Sequence, residues 1–87
     1  LAGGRKRIRI SMLDRLGEAV RFLAEQPYVE DARKQGKDIV LDFSGDQIQK
    51  VQLLKQLVDS GYKVTEFRED KTDLEDVFLR ITNGALQ

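Results

Sequence analysis

An α+β sandwich, with a four-stranded antiparallel sheet carrying two helices on one face, is the fold this sequence predicts. Three observations lead to it. The segments Arg5 to Met12 and Asp38 to Phe43 alternate apolar and polar residues with period two, as half-buried strands do. Two longer segments repeat apolar residues at helical spacing. The connection Gln35-Gly36-Lys37 is short enough to be a hairpin turn, which makes the strands on either side of it antiparallel.

In the first strand Ile8, Ile10 and Met12 point one way and Arg7, Arg9 and Ser11 the other. Ser11 with Asp14 is a weak helix-start signal, followed by Leu13, Leu16, Val20 and Leu23 with Ala19 and Ala24 beside them. Pro27 ends this helix, because the residue before a proline is pushed away from helical torsions. Tyr28 to Lys34 alternates poorly but leads into the hairpin and the clear strand Asp38 to Phe43, where Ile39, Leu41 and Phe43 share a face. Asp46 and Gln49 then form a capping box, and Ile48, Val51, Leu54, Leu57 and Val58 make the apolar stripe of the second helix. Gly61 stands where a helix end needs positive φ. The last strand, Tyr62 to Glu69, carries Val64 and Phe67 three residues apart, which predicts a bulge or an edge position. A closing helix starts at a second capping box, Thr72 and Glu75, and stops at Asn83-Gly84. The first six elements are the split βαβ order of ferredoxin-like folds, and the closing helix is an addition to it.

Composition narrows the chemistry. The 87 residues suffice for one compact domain, read here as residues 5–87 behind a linker or expression scar at 1–4. A chain of this size buries only about 60–65% of its unfolded surface, which leaves little room for a deep cleft. Fifteen basic residues balance fifteen acidic ones, whereas nucleic-acid-binding domains usually show a basic excess. With no Cys and no His, disulfides, zinc-thiolate sites, thiol nucleophiles and Ser-His-Asp arrangements are excluded. No apolar run reaches the ~18 residues of a membrane span and no signal sequence opens the chain, so a soluble cytosolic domain is expected.

Few motifs carry chemistry. The scattered glycines never assemble a phosphate-cradling loop and read as turns and caps. The carboxylates Asp38, Asp42, Glu66, Glu69, Asp70, Asp73, Glu75 and Asp76 lack the spacing of a calcium loop and sit among Lys and Arg, as solvated or capping residues do. Arg5, Lys6, Arg7 and Arg9 are the best case for a nucleic-acid patch, but they lack the outward aromatics on which RNA-binding sheets stack bases.

The run Thr72-Asp73-Leu74-Glu75-Asp76-Val77-Phe78-Leu79-Arg80-Ile81-Thr82-Asn83-Gly84 resembles the "S/T-LEDVFLxLTG" ending of ATP-binding subunits in bacterial drug, antibiotic and sodium exporters of the ABC-2 type. The likeness is tightest over Leu74 to Leu79. It extends more loosely through Asp38 to Phe43, the Leu57 to Tyr62 turn and Val64. The sequence departs from that pattern at Asp73 and Asn83, and Thr72 keeps the capping role. The resemblance implies a non-catalytic C-terminal accessory domain, regulatory or interacting, of a subunit that binds and hydrolyses ATP with magnesium to drive export. The Walker A loop, Walker B acid, signature motif and switch histidine of such a subunit are not in these 87 residues. It further implies the nucleotide-binding domain of the same chain, a second ATP-binding subunit and, indirectly, a membrane permease as partners. The expected location is cytoplasmic, peripheral to the inner face of the membrane. Thr72, Leu74, Glu75, Asp76, Val77, Phe78 and Leu79 are the candidate interaction residues. Leu74, Val77, Phe78 and Ile81 share one helix face, whereas Leu79 falls about 140° away from Leu74 and is available to a partner. Two other readings stand beside this one. One is a ligand sensor or homodimer formed at the edges Tyr28–Lys34 and Tyr62–Glu69. The other is a nucleic-acid binder using the basic first strand.

Overall fold

The computed structural model describes residues 5–70. They form β1 (Lys6–Met12), α1 (Leu16–Ala24), β2 (Val29–Gln35), β3 (Asp38–Phe43), α2 (Gln47–Asp59) and β4 (Val64–Glu69). The sheet order is β2-β3-β1-β4, every neighbouring pair antiparallel, so the architecture is the expected ferredoxin-like βαββαβ sandwich. The opening residues 1–4 and the predicted closing helix lie outside the described residues.

Period-two alternation sorts the central strands as expected. Ile8, Ile10 and Met12 of β1 and Ile39, Leu41 and Phe43 of β3 are buried, and they meet Ala19 and Leu23 of α1 and Leu53 and Leu57 of α2. Val40, on the opposite sheet face, is also buried and is flanked in register by Arg9 and Arg33.

Both edge strands contain one extra residue. In β4, Ser11 pairs with Glu66 and Met12 with Val64, which leaves Thr65 unpaired and lets Val64 and Phe67 pack toward the same core. In β2 the register slips between Glu30 and Arg33, with Asp31 at φ 57. Val29 and Ala32 consequently both reach the core, which explains the poor alternation of that stretch. The β2–β3 hairpin turns at Gly36, whose φ is 64.

The two helices begin by different means. At α2 the Asp46 side chain accepts from the Gln49 backbone N–H at 2.9 Å, while the Asp46 N–H donates to Gln49 Oε1 at 2.8 Å, completing the predicted capping box. Its end is a Schellman motif: the Tyr62 N–H donates to the Leu57 carbonyl at 3.1 Å and the Gly61 N–H to that of Val58 at 3.0 Å, with Gly61 at φ 93. At α1 the expected Ser11/Asp14 cap does not form. Ser11 is still in β1, and the N-cap is Arg15 at φ 60 without a side-chain cap hydrogen bond. Arg15 is held instead from outside the helix. Its guanidinium lies 4.4 Å from the Tyr62 ring centroid and donates to Glu18 at 2.7 and 3.1 Å, and Tyr62 Oη donates to the same Glu18 at 3.3 Å. Leu13, expected in the α1 stripe, precedes the helix and is exposed.

Candidate interaction surfaces

The outer sheet face holds the basic strand. Arg9 is its hub: Nε and Nη2 donate to Asp70 Oδ2 at 3.2 and 3.1 Å, Nη1 to Asp38 Oδ2 at 3.2 Å, and Nη2 to Gln35 Oε1 at 2.8 Å. Ser11 Oγ donates to Asp38 Oδ1 at 2.8 Å, and Arg68 lies 3.6 Å from Glu66 and 3.9 Å from Asp70. The hydrogen bond from Ser11, then those from Arg9, hold the Asp38 carboxyl below its usual range. Asp70 first and then Asp38 raise Arg9 in turn. The other cations of the first strand are also matched. Arg5 pairs with Glu30, Lys6 approaches Glu69 to 3.9 Å, and Arg7 lies 3.7 Å from Asp42. A duplex or single strand binding here would have to displace protein carboxylates before its phosphates were neutralised, which disfavours the nucleic-acid reading.

The helix layer presents a different surface. The solvent side of α1 carries Arg15, Glu18 and Arg21, with Glu25 just beyond its end. On α2 the expected stripe divides in two. Leu57 and, in addition, Leu53 are buried and Leu54 is half-buried, but Ile48, Val51 and Val58 are 70%, 63% and 55% exposed. They line the solvent side of α2, where the only charges beside them, Lys55 and Asp59, neutralise one another at 2.6 Å. Sequence reasoning assigned these three residues to the core. The signal that separates them is α2's paucity of charge: Lys50, Lys55 and Asp59 among 13 residues, in a chain that is 34% charged.

Between α2 and the loop before β2 lies a shallow notch of about 110 Å³, lined by Pro27, Tyr28, Leu53 and glutamine side chains. Tyr28 sits there at φ 69, its ring edge-on to Phe43 at 6.1 Å and its hydroxyl accepting from Gln49 Nε2 at 2.9 Å. A cavity well under the ~300 Å³ of ordinary ligand pockets is a poor metabolite site. The bulged edges likewise disfavour ligand-binding pairing of sheets. Among the described residues no group of three or more His, Cys, Asp or Glu could hold a metal ion, and no helix is long and apolar enough to cross a membrane. The predicted interaction residues Thr72, Leu74, Glu75, Asp76, Val77, Phe78 and Leu79 lie outside the described residues.

Comparison with known proteins gives one result. Residues 2–82 match the family described as "ATP-binding protein DrrA1-3-like, C-terminal domain". No curated protein and no solved structure shows a significant match.

Proposed function

Because the chain belongs to the family of C-terminal domains of DrrA1-3-like ATP-binding proteins, the accessory domain of an ABC ATP-binding subunit, we propose that it is a non-catalytic regulatory and docking module of an exporter. In this reading the nucleotide-binding domain of the same polypeptide binds ATP and magnesium and carries out hydrolysis. The module acts on that domain, on the pairing of two ATP-binding subunits and, through them, on the permease. The working location is the cytoplasmic face of the membrane, reached through the permease rather than by insertion.

The family match over residues 2–82 is the observation that carries this reading. The fold is compatible with it: one sheet face is closed by internal ion pairing, and the helix layer exposes an apolar strip suited to contact with protein. Removing residues 5–87 from the full subunit tests it. ATP turnover in the presence of the permease, or the concentration at which two subunits pair, should change several-fold. Unchanged turnover and unchanged pairing would sink the proposal.

A further inference from the structure

The exposed strip on α2 is continuous and nearly uncharged. Ile48, Val51 and Val58 recur at spacings of three and seven residues, which sets them along one side of the helix over about 15 Å. A helix apolar on its core side and also along its solvent side is one that buries both. Depletion of charge together with exposed aliphatic residues marks the centre of a protein contact, not its rim. Neither a lipid surface nor a nucleic acid suits it, because Lys55 is already neutralised by Asp59 at 2.6 Å.

Size and position decide the occupant. The three side chains offer on the order of 300 Å² of apolar surface, a patch of the size single domains use for function. A freely diffusing partner, including a second copy of this chain, needs about 800 Å² from each side for a stable complex. A tethered partner needs less, because a short linker supplies a millimolar effective concentration. The place where the chain joins the sheet matches that requirement. Lys6, at the start of β1, and Lys50, in the first half of α2, both pair with Glu69, at 3.9 and 2.6 Å. A domain attached upstream of residue 5 thus emerges beside the end of α2 that carries Ile48 and Val51.

The geometry points to the Ile48–Val51–Val58 strip as the seat of the ATP-binding domain that precedes this one in the same polypeptide, taking a small apolar, uncharged patch of that domain's surface. The assignment rests on the accessory-domain reading and goes beyond it by naming the contact. It places the partner on the helix layer, on the side of the molecule away from the charged sheet face.

Thiol labelling in the full subunit tests it, with modified peptides identified by mass. In Val51→Cys the introduced thiol is expected to react with a maleimide at least ten-fold more slowly than that of Arg21→Cys on α1. Adding Ile48→Asp and Val58→Asp should bring the two rates together while leaving the thermal midpoint within a few degrees. Equal rates without those two substitutions overturn the proposal. Protection that fades on dilution of the subunit assigns the strip to a second copy and also overturns it. So does protection lost only when residues 71–87 are removed, which assigns the strip to the chain's own closing segment. The accessory-domain reading fails separately, when removing residues 5–87 changes neither turnover nor pairing even though Val51→Cys stays protected.

Discussion

α1 and α2 rest on the same face of the same sheet, yet they are finished in opposite ways toward solvent. α1 begins at a left-handed Arg15 with no side-chain cap and is tied down by charge, through Arg15, Glu18 and the Tyr62 ring. Arg21 and Glu25 complete a polar outer side. α2 begins at a complete capping box, ends in a Schellman motif, and turns Ile48, Val51 and Val58 outward. A helix secured at both ends by its own backbone does not depend on its outer side chains for stability. That independence leaves the outer side free to carry a contact. α1, whose exposed charges help hold its first turn, has less such freedom.

Substitutions across the two sides of α2 give the largest expected contrast. Leu57 is fully buried, so Leu57→Ala should cost about 2–5 kcal/mol in urea unfolding, whereas Val58→Ala next to it should stay within about 0.5 kcal/mol. Comparable losses at both positions would mean that the exposed side is structural. Gly45→Ala should come next, at about 1–3 kcal/mol. A Cβ there would lie 2.8 Å from the Phe43 ring and from Gln49 Oε1, disturbing the core and the capping box together. Asp46→Ala removes only the cap and should cost about 1 kcal/mol, read as a lower urea midpoint at unchanged slope.

The smallest effect belongs to α1 and depends on pH. The hydrogen bond from Arg15 is the main reason the Glu18 carboxyl sits below its ordinary value. Its folded pKa is therefore lower than its unfolded pKa of about 4.3, so its contribution is present above that value and lost as pH falls through the folded pKa. Glu18→Gln should slightly reduce stability at pH 7 and flatten the thermal midpoint's decline below about pH 4.3. An unaltered acid limb would show that the Arg15–Glu18–Tyr62 cluster does not hold α1 down.

Much of this arrangement was legible in the residues themselves, because it depends on local signals. Period-two alternation located β1 and β3, Asp46 with Gln49 located the start of α2, and Gly61 its end. The three-residue gap between Val64 and Phe67 announced the bulge in β4. The failures share a physical origin. Helical spacing cannot tell which of two adjoining apolar strips faces the core, so Ile48, Val51 and Val58 were placed inside and Leu53 was passed over. Nothing in the sequence announces a non-glycine residue at φ 60, because Arg15 is held there by Tyr62, 47 positions away in the chain. Arg9 looked like a nucleic-acid contact until strand register brought Asp38 and Asp70 to it. The closing-helix motif, which carries the family resemblance most specifically, lies outside the described residues.

The extra residues in β2 and β4 bear on how crowded copies of such a domain behave. Subunits gathered at a membrane hold their accessory domains at high local concentration, a condition under which regular outer strands template growth into continuous sheets. Here Asp31 on one border and Thr65 on the other interrupt the even spacing that such templating needs. Neighbouring copies can be packed closely without fusing through their backbones, and association is directed to side chains that selection can tune one at a time.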